Sequence, residues 1–294
     1  MAQQPPRLIR STQVDLPVLE ASGLATRLVD GRVQVLVVGD RTAHVAASVY
    51  DQDSGFSNWQ TFDLATLAGW PLPARDSQFE AIAVDGGSLV ALLSEDPPTV
   101  LVGDSVARVL RAQIRLGAPP GSPLDGLWDD PSSRGEGLVL LRGGRLLVAK
   151  EKRPRALVEF GPPGSPAAGL SRDDFLAPDE AWDAPAGEVE YVAKAVWRLR
   201  GEAKRALADL SGMAIGRDRS LWLLSDKSCC VGRLSLHTPL RASDDEISRL
   251  QEVWRFPKSV TKPEGIAALA LNRVLVAMDT DSTRGNGMIV ERPA

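Results

Sequence analysis

The chain has 294 residues, 44% hydrophobic content and a formal net charge of −4, values that fit a globular protein and exclude a strongly basic nucleic-acid-binding surface. No apolar run approaches the ~18 residues of a membrane helix, and the opening MAQQPPRLIR lacks the apolar core of a secretory signal. Two adjacent cysteines and two histidines exclude a disulfide framework and a histidine-rich zinc site. We expect a cytoplasmic protein that binds neither nucleic acid nor membrane.

One pattern recurs along the chain: an opening residue, a short apolar strand, a tight polar turn, and a second apolar strand that ends on a carboxylate. The openers recur every 53 to 75 residues, and the last copy reads KPEGIAALALNRVLVAMD. The five openers are Ser22, Glu80, Glu136, Ser211 and Glu264. A recurrence of this kind predicts a repeat architecture.

Each copy continues with further β-prone runs separated by Gly, Asp, Pro and Ser turns. In chain order these are HVAASVYD and NWQTFDL, PTVLVGD and VARVLRAQIRL, ALVEFG and VEYVAKAVWRL, CCVGRLSLH and QEVWRFP, and finally GMIVER. Four copies therefore hold four strands, and the fifth holds three. Its missing strand has a donor in residues 7–16, RLIRSTQVDL.

The second strands are almost continuously apolar, which indicates burial on both faces of a sheet. The turns before them are too short for the helical crossovers that parallel strands need. The sequence therefore predicts an all-β fold: a five-bladed β-propeller with four-stranded blades, forming a single domain over residues 1–294. The N-terminal strand would close the last blade and remove an exposed sheet edge.

Two inserts interrupt the repeats. GPPGSPAAGLSRDDFLAPDEAWDAPAG, at residues 161–187, is expected to be a surface loop with a short helix near residues 173–176. It is either a disordered insertion or an active-site lid. HTPLRASDDEISRL predicts a helical turn that begins at Ser243.

The first strand of each blade should lie innermost, so the openers should surround the central channel at one level. Burial and mutual repulsion would raise the pKa values of three converging carboxylates, whereas a hard cation would keep them ionised. An all-oxygen set favours calcium, which takes six to eight such ligands. We therefore predict one Ca²⁺ ion in the channel, held by Ser22, Glu80, Glu136, Ser211 and Glu264. Alternatively, these residues only form turns, or the ion is purely structural.

A second set of charges follows the second strands and should lie at the same mouth of the channel. Its members are Asp40, Arg41, Glu95, Asp96, Glu151, Lys152, Asp226, Lys227, Asp279 and Asp281. Such groups can bind a phosphate or polarise a substrate. The predicted catalytic residues are Asp40, Arg41 and Asp279, with either aspartate as general base. Alternatively, these charges satisfy one another.

The opener order Ser, Glu, Glu, Ser, Glu resembles the calcium-activated nucleotidase (apyrase) propellers, and this resemblance implies that all five openers ligate one calcium ion. GDRT at residues 39–42 resembles that family's Asp-Asp-Arg-Thr turn, and KPEGI resembles its final Glu-Gly-Ile segment. Ala81 stands where that family has an aromatic residue, and KEKR replaces its Pro-Arg-Arg turn. EGIA and FEAIAVDGG equally resemble the phytase-like esterase and SdiA-regulated propellers.

Two functions follow as hypotheses. The first is a monomeric, calcium-dependent hydrolase that acts on a phosphate ester, a phosphoanhydride or a related anionic ester at the channel mouth. The second is a non-enzymatic propeller, stabilised by calcium, that binds a small ligand or a protein.

Overall fold

The computed structural model describes residues 10–71, 78–130 and 133–291. Over these residues the chain is all-β, with 22 strands and one short α-helix, α1, at Gly201–Ala206. Within the same ranges, no helix is long and apolar enough to cross a bilayer. Residues 7–9 of the predicted closing strand lie outside the described residues.

The strands are short and follow one another with few other elements between them. In chain order they are β1 (Arg10–Val14), β2 (Ala21–Val29), β3 (Arg32–Gly39), β4 (His44–Asp51), β5 (Gly55–Phe56), β6 (Gln60–Asp63), β7 (Phe79–Val84), β8 (Leu89–Ser94), β9 (Thr99–Asp104), β10 (Val109–Gly117), β11 (Gly135–Leu141), β12 (Arg145–Lys150), β13 (Ala156–Gly161), β14 (Gly187–Leu199), β15 (Gly212–Ile215), β16 (Leu221–Ser225), β17 (Cys230–Leu234), β18 (Glu246–Ile247), β19 (Glu252–Arg255), β20 (Pro263–Ala270), β21 (Arg273–Met278) and β22 (Gly287–Glu291).

Pairing divides the described strands into five antiparallel runs. The first run is β2-β3-β4 with β5 and β6 both on β4, the fourth is β15-β16-β17-β19, and the fifth is β20-β21-β22-β1. The second run, β7 to β10, and the third, β11 to β14, join into one nine-stranded sheet through a parallel pairing of β10 with β14, with β18 also on β14.

The fifth run is completed from the other end of the chain. β1 pairs antiparallel with β22, from Arg10 opposite Glu291 to Val14 opposite Gly287. Beside this pairing, the buried Asn286 side chain donates to the carbonyls of Leu16 and Val18 and accepts from the Leu16 N–H at 2.8 Å. The predicted completion of the last repeat by the N-terminal strand is therefore observed for Arg10–Val14.

The core lies between neighbouring runs rather than inside any one sheet. Five clusters of buried apolar side chains each combine residues of two adjacent runs. Along β3, Val35 and Val37 face the cluster shared with the fifth run, whereas Leu36 and Val38 face the cluster shared with the second. This alternation confirms that a second strand is buried on both faces. The first strands β2, β7, β11, β15 and β20 contact one another in cyclic order.

The insert between β13 and β14 follows a defined path. Buried Glu159 anchors its start by accepting the N–H groups of Ala168 and Gly169, each at 3.1 Å. The predicted helix near residue 173 is a single 3-10 turn, Arg172–Asp174. The helical turn expected at Ser243 is wrong, since that segment leads into β18, which pairs with the end of β14.

Candidate functional site

β-bulges turn the opener side chains away from the strand ladders. In four copies the register between first and second strands shifts around the opener, namely at Ser22, Glu80, Glu136 and Glu264. A bulge leaves one residue unpaired, bends the strand and re-aims that side chain. In the fourth copy Ser211 lies just before β15, and its N–H donates to the Leu224 carbonyl at 3.0 Å.

Glycines after the openers let the first strands approach one another closely. A Cβ atom on Gly212 would lie 2.8 Å from the Glu264 carbonyl oxygen, and one on Gly23 would lie 2.9 Å from the Ile82 nitrogen. These distances leave no room for a side chain. These glycines therefore allow the first strands to approach one another closely.

The openers surround one end of the channel between the first strands, where a cavity of about 190 Å³ opens. Among the described residues its wall comprises Glu20, Ser22, Asp40, Glu80, Glu136, Glu151, Asp209, Ser211, Asp226, Lys227, Glu264 and Asp279. Nine of these twelve side chains are carboxylates and one is a cation. We call this region the acidic cavity.

Crowding raises the pKa values of the three glutamate openers. Burial, followed by repulsion from Glu95, raises the pKa of Glu80 to about 8. Burial and the charge of Asp226 raise the pKa of Glu264 to about 8. Burial, with repulsion from Glu80 and Glu264, raises the pKa of Glu136 well above its usual range. Without a compensating cation these groups hold protons at neutral pH.

The predicted catalytic residues divide between the wall and the rim. Asp40 and Asp279 line the acidic cavity. Burial, a hydrogen bond with Glu20 and repulsion by neighbouring carboxylates raise the pKa of Asp40 to about 7. Arg41 lies outside the wall with 62% of its side chain exposed, where it is ion-paired with Glu20 and lies 3.5 Å from Asp281.

The remaining mouth charges also fall into two groups. Glu151, Asp226 and Lys227 line the acidic cavity. At the rim, Asp96 forms an ion pair with Arg134, and Lys152 forms one with Glu151. Asp281 lies beside Arg41 there. Glu95 is outside the wall and accepts the Arg134 N–H at 3.3 Å. Glu151 also pairs with Lys152, and Lys227 lies 3.8 Å from both Glu151 and Asp209, so some charges of the set both line the cavity and satisfy one another.

The two serine openers tie neighbouring first strands together. The Ser22 hydroxyl donates to the carbonyl of Phe79, and the Ser211 hydroxyl donates to the carbonyl of Pro263 at 2.7 Å. Each acceptor residue directly precedes the next opener in the ring. Both serines therefore lie at the predicted level of the channel, and their hydroxyl protons are already used within the protein.

Sequence reasoning missed two carboxylates of the wall, Glu20 and Asp209. Each lies two residues before a serine opener, whereas the glutamate openers have Gln78, Arg134 and Lys262 at that position. Every repeat thus brings a carboxylate to the cavity from one of these two positions, and four repeats add a second carboxylate after the second strand, namely Asp40, Glu151, Asp226 and Asp279. The sequence does carry a signal for Glu20 and Asp209: an acid stands two residues before each serine opener, and a nonacidic residue stands two residues before each glutamate opener. A comparison of the opener positions alone does not show it.

The fit of a cation can be tested on these donors. No group of three or more His, Cys, Asp or Glu side chains among the described residues is arranged to hold a metal ion. Calcium–oxygen bonds are about 2.3–2.6 Å long, so the cavity of about 190 Å³ is too wide for one bare ion. A cavity of this size leaves room for water molecules beside an ion. The donor chemistry and the volume together fit a partly hydrated divalent cation.

No protein family and no curated protein matches the sequence. Solved structures do match it. The calcium-binding protein regucalcin from Agrobacterium tumefaciens matches with a TM-score of 0.50 and 12% identity over 98% of this chain and 96% of that chain. A streptogramin B lyase matches with a TM-score of 0.47 and 13% identity, covering 97% of this chain and 98% of that one.

The PQQ-bound aldose sugar dehydrogenase from Streptomyces coelicolor matches with a TM-score of 0.44 and 14% identity, covering 98% of this chain and 99% of that chain. These similarities concern the fold alone and do not single out a nucleotidase. The structural neighbours are β-propeller-like proteins that include enzymes of different chemistry. The match to regucalcin and the strand pairing together indicate that this chain has a β-propeller-like fold.

Proposed function

We propose that the protein is a five-bladed β-propeller whose acidic cavity binds a divalent cation, calcium by ligand class. The five runs would be the blades, with the second and third joined through β10 and β14. Five apolar clusters between consecutive runs and the cyclic contacts of the first strands support this count.

One observation carries the cation proposal: all five repeats supply a carboxylate to the same cavity. These are Glu20, Glu80, Glu136, Asp209 and Glu264. So many acids around a small volume repel one another unless protons or a cation compensate them. The similarity to a calcium-binding propeller is consistent with this proposal.

We further propose that the cavity hydrolyses a small anionic ester, such as a phosphate ester or anhydride. Arg41 at the rim would bind the anionic group if it exchanged its present carboxylate partners for the substrate. Asp40, with a pKa of about 7, is suited to accept a proton near neutral pH, and Asp279 lies in the same wall. The cation would supply positive charge that offsets the negative charge of the substrate among these acids.

A second candidate, a calcium-stabilised binding scaffold, is favoured by the contacts between repeats at this end. The Ser22 hydroxyl donates to the carbonyl of Phe79 in the second repeat, and the Ser211 hydroxyl donates to the carbonyl of Pro263 in the fifth. A cation held among all five repeats would stabilise closure of the ring because it binds only the folded state.

Purified protein should be analysed for metals, then assayed with two anionic substrates, p-nitrophenyl phosphate and a nucleoside triphosphate, in calcium and in chelator. The proposed enzyme turns over at least one ester in calcium, loses that activity in chelator, and loses it in Glu136→Gln. Exposed Glu188 provides the matched control, Glu188→Gln. Calcium binding with no turnover of any ester selects the scaffold, and absence of calcium binding removes both candidates.

A further inference from the structure

The channel between the first strands contains a second cavity at its other end. Below the openers the channel narrows to a neck of about 10 Å³, lined in part by the four glycines that follow openers. Beyond the neck lies a cavity of about 290 Å³, which we call the far cavity. Because backbone atoms of adjacent strands nearly touch at the glycines, the two cavities are separate compartments.

The wall of the far cavity is apolar, and all five first strands contribute to it. Representative side chains are Leu24, Ile82, Leu138, Met213, Ala214 and Ala268. Water gains few hydrogen bonds against such a wall, so an apolar ligand can displace it favourably. The surface differs completely from that of the acidic cavity, although the same strands form both.

The insert between β13 and β14 covers part of this cavity with residues 176–178. Its backbone is bound to two first-strand ends: the Gly86 N–H donates to the Glu180 carbonyl at 2.8 Å, and the Leu28 N–H donates to the Pro178 carbonyl at 3.3 Å. A Cβ atom on Gly86 would lie 2.1 Å from the carbonyl carbon of Asp179. The insert therefore packs directly across the channel end.

Residues at the end of the first strand of the third run also hold this part of the insert in place. Arg142 binds Glu180 in a bidentate ion pair, with nitrogen–oxygen distances of 2.7 and 2.6 Å. The buried Trp182 indole donates to the Leu141 carbonyl at 3.0 Å. These contacts hold the roof of the cavity in one position, so the cavity is formed before any ligand arrives.

The carboxylate of Asp85, which lines the far cavity, already accepts hydrogen bonds from backbone donors. One oxygen of Asp85 accepts the N–H groups of Gly87 and Leu89, each at 3.0 Å. Its other oxygen accepts the Trp182 N–H at 3.1 Å. Asp85 therefore serves to hold two chain segments and offers little to an incoming ligand.

The cationic groups of the far cavity are partly free. Arg27 donates to the Gly87 carbonyl at 2.6 Å, and Arg219 lies 3.4 Å from a carboxylate oxygen of Asp173. Arg217 lines the cavity and is exposed. It makes no hydrogen bond or ion pair with any residue in the described ranges. The rim thus offers a guanidinium beside an apolar chamber, a combination that suits an anion with an apolar body.

We propose that the far cavity binds a small amphipathic carboxylate, with its apolar chain in the chamber and its carboxylate on Arg217. This site is distinct from the acidic cavity and requires no cation. It accounts for the apolar wall, the fixed roof and the positively charged rim together.

Octanoate is a suitable probe, titrated calorimetrically into the full chain in the presence of chelator. We expect saturable binding at one site. Ala214→Phe, which fills the chamber, should weaken that binding at least about tenfold, since overpacking leaves no room for the chain. Ala107→Phe, at an exposed position far from the channel, should bind octanoate like the wild type.

A second pair of measurements tests the charged end. Arg217→Ala should weaken octanoate binding about two- to fivefold, the range expected for a partly exposed ion pair, and leave 1-octanol binding unchanged. Arg115→Ala is the matched control. Glu136→Gln should leave octanoate binding unchanged, which separates this site from the acidic cavity. If Ala214→Phe does not fold, Ala268→Phe replaces it.

The proposal is overturned if wild-type protein does not bind octanoate, or if a folded chamber-filling variant binds octanoate as tightly as wild type. It is also overturned if Arg217→Ala leaves octanoate binding unchanged or weakens both probes equally, because the arginine would then contribute no recognition of charge.

Discussion

The two ends of the channel are built from the same five strands, yet they differ in every chemical respect. On β7, Glu80 faces the acidic cavity and Val84 lines the far cavity, and the four steps along the strand between them span about 13 Å. The acidic end assembles groups that repel one another, whereas the far end assembles groups that pack. Position along a repeated strand therefore determines the chemistry of each compartment, and the glycine neck keeps the two apart.

The difference also concerns how each end is held. The far end has a roof fixed by an ion pair and backbone hydrogen bonds, so it needs no ligand to be stable. The acidic end has unfavourable carboxylate proximity that only protons or a cation can offset. Adding or removing divalent cations should therefore alter the acidic cavity and leave the far cavity unchanged.

The largest expected effect is that of calcium on thermal unfolding. At a free concentration of about one hundred times Kd, a ligand of the folded state stabilises by about 2.7 kcal/mol, which for a chain of this size corresponds to an increase in Tm of roughly 5–10 °C. Glu136→Gln should lose most of this increase, and Glu188→Gln should retain it. A calcium response equal in both variants would place the ion elsewhere.

A change in the neck should destabilise both compartments. Gly212→Ala introduces a Cβ atom 2.8 Å from the Glu264 carbonyl oxygen, and such overpacking typically costs about 1–3 kcal/mol. Urea denaturation should show the loss in calcium and in chelator alike. Ala107→Val, at an exposed site, is the control. An unchanged midpoint for Gly212→Ala would mean that the strands are farther apart than they are here.

In chelator, the stability of the protein should decrease as the pH rises, because acids with raised pKa values are buried in the folded state. Glu80 and Glu264 have pKa values raised to about 8, against about 4.3 in the unfolded chain. Between these values the folded state holds more protons, so stability in chelator falls as the pH rises. Tm should be lower near pH 8.5 than near pH 5.5, with a smaller drop in Glu80→Gln. Calcium should reduce the drop. A flat profile in chelator would contradict the crowding of these carboxylates.

The sequence predicted the all-β, propeller-like character of the fold because its signals are local and repeated, whereas the count of five blades stays a proposal. Apolar second strands such as β3 indicate two buried faces, and the opener positions identified Glu80, Glu136 and Glu264 as neighbours. The far cavity could not be predicted, because its roof depends on long-range contacts such as the ion pair of Arg142 with Glu180. The same reason explains the error at Ser243, where pairing with distant β14 overrides local capping.

Two further features of the acidic cavity were not predicted from the sequence: its width, and the second repeat position that supplies carboxylates to its wall. The openers indicated which donors converge, but not that their cavity exceeds the size of one bare ion. Glu20 and Asp209 were missed because they occupy a different position of the repeat from the glutamate openers. The alternation of an acid two residues before a serine opener with a nonacidic residue before a glutamate opener signals this exchange in the sequence, and the structure shows that both positions deliver carboxylates to the same wall.

The smallest expected effect tests this exchange of positions. The double variant Glu20→Gln, Ser22→Glu copies the arrangement of the second repeat, where Gln78 precedes Glu80 by two residues. Both Glu20 and Gln78 have a positive φ, 48° and 43°, so glutamine suits the backbone at this position. The calcium-dependent increase in Tm should stay within about 2 °C of wild type, since the change in stability is below about 1 kcal/mol.

Glu20→Gln alone removes the carboxylate of the first repeat and should reduce the calcium response, so the single variant is the comparison for the double one. If the double variant responds to calcium as weakly as the single variant, carboxylates at the two positions are not equivalent. Calcium binding in the acidic cavity would then depend on the exact position of each carboxylate and not only on their number. The far cavity likewise depends on the exact position of its roof, so the two ends of the channel would no longer differ in this respect.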